Sequence, residues 1–183
     1  MARIQPIPVD QWPDELVAFK PASLNDVERD VLGIHAHLPS TTKAFYKTKA
    51  VLAHEGSLPP RLIELVRLRI AFFNQCRSCM ALRYDSDTVD ENAVCSLERP
   101  EEAVDLTAAE KSALRFAELL ATDHLAIDDD VYADLRKYFT EAQLVELGTA
   151  AALNVGMGRL AATWKVTDHV DPRYAQEGAV SPW

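Results

Sequence analysis

The chain lacks any long apolar run, because no stretch reaches the ~18 residues that a bilayer-crossing helix needs. Its first residues, Met-Ala-Arg-Ile-Gln-Pro-Ile-Pro, contain no apolar segment typical of a signal peptide. Basic residues are also few, with 19 Lys and Arg against 28 Asp and Glu and a net charge of -9. This negative charge repels the phosphate backbones of nucleic acids and anionic lipid surfaces. We therefore predict a cytoplasmic protein with neither a membrane nor a nucleic-acid partner.

Cysteine is scarce as well, since the 183 residues include only three. A disulfide framework of the kind that stabilises small secreted domains is excluded by that number. Tetrahedral zinc needs four ligands, and beyond Cys76 and Cys79 the chain offers Cys95 and five histidines without a second CxxC or an HxxxH spacing. The prediction is therefore no metal and no cofactor.

No segment alternates convincingly between apolar and polar residues, so strands are not predicted. Apolar residues recur instead at helical spacing, and the 48% hydrophobic content of a 183-residue chain suits one domain with a full core. We predict an all-α, single-domain helical bundle. Its expected helices run from about 24 to before Pro39, then over about 41–54, 57–73, 75–87, 107–120, 128–139 and 140–164.

Three regions are expected outside or between these helices. Residues 1–23 carry four of the ten prolines and should form an extended arm laid over the helical domain of residues 24–166. Residues 167–183 should form a loose tail. The acidic stretch from 91 to 105, which contains Pro100, should be a loop with Cys95 unpaired.

Local signals mark several helix starts. Thr107-Ala-Ala-Glu110 and Thr140-Glu-Ala-Gln143 are capping boxes, in which a threonine and the third residue after it satisfy each other's backbone N–H groups. Asp128-Asp-Asp places negative charge where a helix begins and its dipole is positive. These signals predict helix starts at about 107, 128 and 140.

Cys76 and Cys79 carry the strongest chemical signal of the sequence. On a helix, positions three apart share a face, with Cα atoms near the ~4.4 to 6.8 Å that a disulfide requires. If Asn74 caps that helix, Cys76 lies in its first turn, where free N–H groups stabilise a thiolate. We predict a reactive pair that forms a disulfide while Cys95 stays reduced. Two alternatives are half of a zinc site and a pair of small core residues.

The region around this pair resembles a known family. Glu64 is followed by eleven residues, Cys76, two more residues and Cys79, and Gly-Ser-Leu-Pro-Pro-Arg-Leu-Ile-Glu-Leu-Val leads into it. Phe139-Thr-Glu-Ala-Gln-Leu-Val-Glu-Leu and the 154–159 stretch look like the closing helix of the same family. The pattern, over about 24–165, is similar to the carboxymuconolactone decarboxylase family, in its AhpD-like alkylhydroperoxidase branch. The resemblance implies an all-helical domain that assembles as a trimer or as a hexamer built from trimers.

The resemblance also implies roles for the site residues. Cys79 would attack a small hydroperoxide, Cys76 would resolve the sulfenic acid into a disulfide, and Glu64 would belong to a proton relay. A thiol reductant or redox partner protein would then restore the dithiol. The implied activity is that of a peroxiredoxin-type antioxidant enzyme.

The sequence departs from the family pattern at two positions. Arg83 stands four residues after Cys79, where the peroxidases have a histidine, and Ser78 replaces another histidine between the cysteines. An arginine stays charged, so Arg83 can hold Cys79 as a thiolate or pair with Glu64 but cannot transfer a proton. Tyr84 and Glu64 are the nearest replacement donors in sequence. A solvated helix position is the alternative for Arg83.

Glu64 has an alternative of its own. Arg61 and Arg67 lie three residues before and after it, which is the spacing of an ion-pair ladder on a helix surface. Such a ladder would stabilise the helix by only a few tenths of a kcal/mol and would carry no chemistry. We include Glu64 with Cys76, Cys79 and Arg83 among the predicted catalytic residues because of the cysteine spacing that follows it.

The sequence thus predicts a thiol-dependent peroxidase or disulfide oxidoreductase that uses its CxxC pair to reduce hydroperoxides. Two alternatives remain open: a carboxymuconolactone decarboxylase-like enzyme without thiol chemistry, and a non-catalytic redox-sensing oligomer. The helix at 140–164 carries Gly148, Ala152 and Gly156 on an apolar background, which predicts a homo-oligomer contact. The same composition would suit a helix buried inside the monomer.

Overall fold

A computed structural model describes residues 1–18, 20 and 23–175, and the regular structure of these residues is helical. Short 3₁₀ turns occur at Val9–Gln11 and His124–Ala126. The helices are α1 (Asp14–Val17), α2 (Asp26–His35), α3 (Pro39–His54), α4 (Pro60–Phe73), α5 (Arg77–Ala81), α6 (Glu91–Ser96), α7 (Ala108–Thr122), α8 (Asp129–Leu135), α9 (Glu141–Trp164) and α10 (Pro172–Ala175). The all-α prediction is confirmed. None of the helices in these ranges combines the length and hydropathy needed to cross a bilayer.

Helix α4 forms the centre of the bundle. Its side chains Leu65, Val66, Leu68 and Ile70 are fully buried, and the helix packs mainly against α7 and α9. Because these apolar side chains and the charged Glu64, Arg67 and Arg69 are all buried, α4 must be surrounded by other elements. Pro60 occupies the first turn, where a missing N–H costs no hydrogen bond.

The predicted capping boxes are present at α7 and α9. The Thr107 hydroxyl accepts the Glu110 N–H at 3.2 Å, and the Glu110 carboxylate accepts the Thr107 N–H at 2.7 Å. Thr140 and Gln143 make the same exchange at 3.3 and 3.0 Å. Each box satisfies two backbone donors that a helix start leaves unpaired. Asp128 caps α8 as expected, by accepting two backbone N–H groups.

The helix around the cysteines is much shorter than the predicted span of about 75–87. Helix α5 covers only Arg77–Ala81, because Leu82 adopts an extended conformation. The expected cap is also wrong: Asn74 ends α4, its side chain donates to carbonyls of α9, and Cys76 itself is the N-cap of α5. The intervening Gln75 has a φ of 50°, a left-handed conformation that turns the chain from α4 into α5.

Two other predicted boundaries are wrong. The stretch from 91 to 105 is not a loop throughout, since it begins with α6, which Asp90 caps by accepting the Ala93 N–H at 2.9 Å. A local cap is sufficient to start a helix that the acidic composition concealed. Helix α8 ends at Leu135 rather than at Phe139.

The N-terminal arm lies over the helices but is not extended throughout, because it contains α1 and a 3₁₀ turn. Ile7 N–H donates to the Gly33 carbonyl at 3.0 Å, and Arg3 N–H donates to the Trp164 carbonyl at 2.7 Å. Gly33 permits this approach, since a Cβ there would lie 2.8 Å from the Ile7 carbonyl oxygen. Residues 19, 21 and 22 of the predicted arm lie outside the described residues.

The tail is not loose along its described part. Val170 and Tyr174 are buried in the main core, and Tyr174 accepts a hydrogen bond from Arg83 at 3.0 Å. Apolar side chains on this segment therefore cover the bundle. Residues 176–183, the end of the predicted tail, lie outside the described residues.

Candidate active site

The site is built on a buried ion pair in α4. Arg67 donates to both carboxylate oxygens of Glu64, from Nε to Oε2 and from Nη2 to Oε1, each at 2.7 Å. Glu64 is only 3% exposed, and Arg67 is buried beside it. Two parallel hydrogen bonds between charged groups give both strength and a defined geometry.

The surface ladder considered for Glu64 is present only in part, because the pair with Arg67 three residues later forms but is buried. Arg61 turns away from Glu64 and pairs with Glu110 of α7 at 2.8 Å. Burial alone would raise the pKa of Glu64, but the hydrogen bonds and charge of Arg67, together with the Tyr84 N–H, hold that pKa below its ordinary value of 4.5. Glu64 is therefore a carboxylate at neutral pH, and it is not a proton donor there.

The same ion pair holds the CxxC segment in place. Arg67 Nη1 donates to the Cys79 carbonyl at 2.7 Å, and Nη2 donates to the Leu82 carbonyl at 2.8 Å. The Tyr84 N–H donates to Glu64 Oε1 at 3.0 Å. These bonds satisfy backbone groups that the early end of α5 leaves without helical partners. The guanidinium is thereby fixed against the backbone of Cys79.

The two predicted cysteines form a disulfide, with their Cα atoms 5.1 Å apart, and Cys95 is free and exposed. Cys76 is 0% exposed, and its Sγ accepts the Cys79 N–H at 3.4 Å. Cys79 is only partly buried and lines a cavity. The two sulfurs therefore differ: an incoming molecule can reach Cys79, while Cys76 is covered and stabilised by a helix N-terminus.

Cys79 opens into an inner cavity of about 90 Å³ formed mainly by α2, α3, α4, α5 and α9. A larger outer cavity of about 520 Å³ adjoins it between α3, α4 and α9. Both are lined by the same aromatic and polar group, Phe45, Tyr46, Lys49, Arg67, Tyr84 and Asn154. The outer walls are otherwise mostly apolar, a composition typical of small-molecule sites.

Lys49 is the second cation of the inner cavity. Its Nζ lies 5.1 Å from the ring centre of Tyr84, 5.7 Å from that of Tyr46 and 5.9 Å from that of Phe45. Burial is the main cause that lowers the pKa of Lys49, followed by the positive charge of Arg67. The aromatic rings favour the cation through their negative faces, which keeps it stable in a partly buried position.

Two other titratable groups of this cavity are neutral at pH 7. Burial, with a smaller effect of Lys49, lowers the pKa of His35 to about 4. Burial also raises the pKa of Tyr46 above its ordinary value. Lys49 is thus the group in the inner cavity that combines a positive charge with a proton that it can release.

Arg83 does not face this cavity. Its guanidinium donates to Glu91 at 3.0 Å, to the Met80 carbonyl at 2.6 Å and to the Tyr174 hydroxyl at 3.0 Å. The reason is the early end of α5, which removes the helical four-residue relation to Cys79. The structure therefore brings together Cys76, Cys79 and Glu64, whereas the side chain of Arg83 bonds Glu91 and Tyr174. Arg83 acts on Glu64 only through its charge, which is the smallest of the causes that lower the pKa of Glu64.

Sequence reasoning missed His35, Tyr46 and Lys49. A weak signal was present, because Phe45, Tyr46 and Lys49 are three and four residues apart and must share one face of a helix. Nothing in the sequence shows that this face meets the CxxC pair, which follows about thirty residues later. Within the described ranges, no group of three or more His, Cys, Asp and Glu side chains is arranged to hold a metal ion.

Comparisons with known proteins agree with this fold. Residues 39–119 match the model of the carboxymuconolactone decarboxylase family, a range that includes the ion pair, Lys49 and both cysteines. An uncharacterized peroxidase-related protein from Silicibacter sp. TM1040 superimposes with a TM-score of 0.73 over 96% of this chain and 97% of that chain, at 17% identity. At this identity the likeness shows a common fold.

Two uncharacterized proteins from Mycobacterium tuberculosis, strains CDC 1551 / Oshkosh and ATCC 25618 / H37Rv, are each 36% identical over 102 residues. The match covers 52% of this chain and 35% of each relative. The chain therefore spans about a third of the length of these curated relatives.

We predict that Glu64→Gln lowers the free energy of unfolding at pH 7 by about 3–5 kcal/mol, because it leaves Arg67 buried without a countercharge. The folded-state pKa of Glu64 lies below its ordinary value of 4.5. The contribution of the ion pair to the free energy of unfolding is therefore complete at pH values above 4.5, and it disappears as the pH falls through the folded-state pKa. Between about pH 6 and about pH 3, the free energy of unfolding measured with urea should fall more in the wild type than in Glu64→Gln.

The matched control for this prediction is Glu101→Gln, at an exposed position. Its free energy of unfolding should equal that of the wild type at both pH values. Equal pH dependence of the wild type and Glu64→Gln would contradict the assignment of the ion pair.

Proposed function

Because the chain belongs, through residues 39–119, to the carboxymuconolactone decarboxylase family, we propose that it is a thiol-dependent peroxidase or disulfide oxidoreductase of the AhpD-like type that reduces small hydroperoxides. One observation carries the proposal: the CxxC disulfide presents Cys79 to a cavity that also holds the cations of Lys49 and Arg67. The structural likeness to a peroxidase-related protein supports the same activity.

In the first step the Cys79 thiolate attacks one peroxide oxygen. The sulfur–oxygen bond forms as the O–O bond breaks, Cys79 becomes a sulfenic acid, and the other oxygen leaves as an alkoxide that takes up a proton. The charge of Arg67 is offset by Glu64, so Lys49 is the main cation that favours the thiolate over the thiol and stabilises the negative charge on the leaving oxygen. The substrate is thereby reduced to an alcohol, or to water when it is hydrogen peroxide.

Lys49 is our candidate for the proton donor that the family histidine supplies elsewhere. Arg67 is bonded to Glu64 and to two carbonyls and does not release protons, while Glu64 is already ionised. His35 is neutral at pH 7, and the raised pKa of Tyr46 makes it a weak acid. A lysine with a lowered pKa is a better acid than an ordinary lysine and regains its proton from water.

In the second step the Cys76 thiol attacks the Cys79 sulfenic acid, and a water molecule leaves as the disulfide forms. Reduction then follows an order that accessibility dictates. An external thiolate attacks Cys79, because Cys76 is fully covered, and Cys76 departs as a thiolate. The N–H group of Cys79 faces the sulfur of Cys76 and stabilises that leaving group. A reducing, cytoplasmic thiol pool suits this cycle and is part of the proposal.

The decarboxylase-like alternative has one observation in its favour. Lys49 and Arg67 line a largely apolar cavity together with Glu64 and Asp85, and the two cations are the groups that would bind an enolate or carboxylate there. That chemistry needs neither thiol, so it should survive replacement of both cysteines. The redox-sensor alternative requires oxidation of the pair without rapid turnover.

We predict that Cys79→Ser abolishes peroxide consumption, because it removes the attacking sulfur. Cys76→Ser should still react once and stop at a sulfenic acid, because no resolving thiol remains. Stopped-flow mixing of each reduced protein with hydrogen peroxide and with tert-butyl hydroperoxide measures the rate. Mass spectrometry after dimedone labelling identifies the trapped sulfur.

Cys95→Ser is the control and should behave as the wild type, since Cys95 lies outside the site. Slow loss of the two thiols in the wild type would favour a sensor over an enzyme. Sulfenic acid on Cys76 in the Cys79→Ser protein would reverse the assigned roles.

We predict that Lys49→Met raises the pKa of the Cys79 thiol by about one unit, because a nearby positive charge is lost. Lys49→Arg keeps the charge and should leave this pKa near that of the wild type. Both variants should react with peroxide at least about 100-fold more slowly, since neither retains a proton donor at this position. Alkylation by iodoacetamide as a function of pH gives the thiol pKa, and stopped-flow mixing gives the rate.

Arg83→Met serves as the control for Lys49. Its guanidinium faces Glu91 and Tyr174, so its loss should not change the thiol pKa. A wild-type peroxide rate in Lys49→Arg would contradict the proton-donor role of Lys49. A raised pKa of the Cys79 thiol in Arg83→Met would show that Arg83 also stabilises the thiolate.

Homo-oligomer formation through α9 belongs to the same proposal. Val145 and Leu160 of this helix are 69% and 46% exposed, and Ala152 and Gly156 between them are exposed on the same face. A Cβ on Gly156 would meet no atom within 4 Å. This exposed apolar stripe supports the contact surface over the alternative of a helix enclosed in the monomer.

We predict that the wild type has three or six times its chain mass of 20.3 kDa in light scattering at micromolar concentration. Ala152→Glu should shift the mass toward the monomer, because it places a charge in an apolar contact. Ala133→Glu, on the exposed side of α8, is the matched control and should keep the wild-type mass. A wild-type protein that remains monomeric as its concentration rises would contradict this surface.

A further inference from the structure

The side-chain nitrogen of Lys49 is available to a bound molecule. Its Nζ makes no hydrogen bond and no ion pair with any residue that the structure describes, whereas every guanidinium nitrogen of Arg67 donates to Glu64 or to a backbone carbonyl. Lys49 is only partly buried, and its nitrogen is not one of the fully covered polar atoms that lack a partner. The ammonium can therefore donate to a ligand, and the neutral amine can offer its lone pair.

The surroundings of Lys49 are those that make a lysine a nucleophile. The rings of Phe45, Tyr46 and Tyr84 have their centres 5.1 to 5.9 Å from Nζ. The Arg67 guanidinium shares the Tyr84 ring, with its Cζ 4.8 Å from the ring centre. Burial and this second positive charge favour the neutral amine and lower the pKa of Lys49. An apolar environment and a neighbouring cation are the two arrangements that activate a lysine for attack on a carbonyl carbon.

The outer cavity gives an apolar molecule room beside this amine. Its volume of about 520 Å³ lies within the range of small-molecule sites. Lys49 itself lines the cavity, so a bound molecule does not have to enter the inner cavity to meet it. Most of the remaining wall is aliphatic, and it includes Ala50, Leu52, Ala53, Leu58, Ile63 and Leu153.

The charges on the wall favour a neutral carbonyl compound over a keto acid. The acidic side chains of Glu64 and Asp85 line the outer cavity, and the donors of Arg67 are already bonded. A carboxylate on the ligand would be repelled by these acids, and it would pair with Lys49 and hold the amine in its protonated form. Among neutral carbonyl compounds, an aldehyde has the less crowded and more electrophilic carbon. The chemical class that fits is therefore an apolar aldehyde.

We propose that Lys49 binds apolar aldehydes covalently, as a Schiff base, in the outer cavity. The carbonyl carbon becomes bonded to Nζ, and the hydrocarbon chain packs against the aliphatic wall. This function is additional to the proposed thiol–disulfide chemistry and does not depend on it.

The reaction is balanced without an oxidant or a reductant. The lone pair of the neutral Nζ attacks the carbonyl carbon, and a proton passes from the nitrogen to the oxygen to give a carbinolamine. The hydroxyl group then takes up a proton and leaves as water while the C=N bond forms. In total, the ammonium and the aldehyde give an iminium and one water. The positive charge beside the Tyr84 ring is thereby kept.

The test uses the oxidised full-length protein at about pH 7 with hexanal or propanal and sodium cyanoborohydride, which reduces an iminium to a stable secondary amine. Peptide mapping by mass spectrometry gives the labelling rate of each lysine. With hexanal, Lys49 should be labelled at least about tenfold faster than Lys47, an exposed lysine of the same helix, because a lowered pKa leaves more neutral amine. Hexanal should label Lys49 at least about tenfold faster than propanal, because its longer chain buries more apolar surface.

Two variants of α3 locate the aldehyde chain. Ala53→Phe narrows the outer cavity from an exposed wall position and should remove the preference of Lys49 for hexanal without slowing propanal. Ala44→Phe, at an exposed position of the same helix outside the cavity lining, is the matched control and should keep the preference.

Equal labelling of Lys49 and Lys47, or a Lys49 rate that is the same for both aldehydes, would overturn the proposal. A preference for hexanal that persists in Ala53→Phe would do the same, because the chain would then lie elsewhere. No thiol or peroxide takes part, so labelling of Lys49 should be unchanged in Cys79→Ser. The failure of one proposal is therefore distinguishable from the failure of the other.

Discussion

The buried pair of Glu64 and Arg67 is the interaction on which the site depends. Removing two charges from water is expensive, and a buried pair persists only when further hydrogen bonds satisfy both partners. Here the guanidinium also bonds two carbonyls of the CxxC segment, and the carboxylate also accepts the Tyr84 N–H. The pair therefore links the central helix to the reactive turn and sets where Cys79 lies.

This arrangement gives the two cysteines different environments. Cys76 is covered and receives a backbone N–H, whereas Cys79 faces a cavity lined by Lys49 and Arg67. The positive charge near Cys79 thus comes from α3 and α4. It does not come from Arg83, whose side chain bonds Glu91 and Tyr174. The same helices form the apolar outer cavity, so the proposed substrate and the reactive sulfur meet where α3, α4 and α9 come together.

Local signals predicted a large part of the fold. The capping boxes at Thr107 and Thr140 act within four residues, and the prolines before α4 act within the first turn, so each could be read from its neighbours. The wrong predictions, by contrast, concern features that contacts between distant parts of the chain determine. Helix α5 ends early where Arg67, twelve to fifteen residues away in sequence, bonds its last carbonyls. The tail is packed because Tyr174 meets core residues that are distant along the chain.

The sequence by itself determined the all-helical class, the cysteine pair and the acid that precedes it, because helical periodicity, short capping motifs and the CxxC spacing are properties of neighbouring residues. Only the tertiary structure decided which charges surround Cys79. Lys49 joins it from a helix thirty residues earlier, while Arg83, only four residues away, turns to Glu91. The physical reason is that the direction of a side chain depends on where its helix ends, and long-range packing and hydrogen bonds set that end.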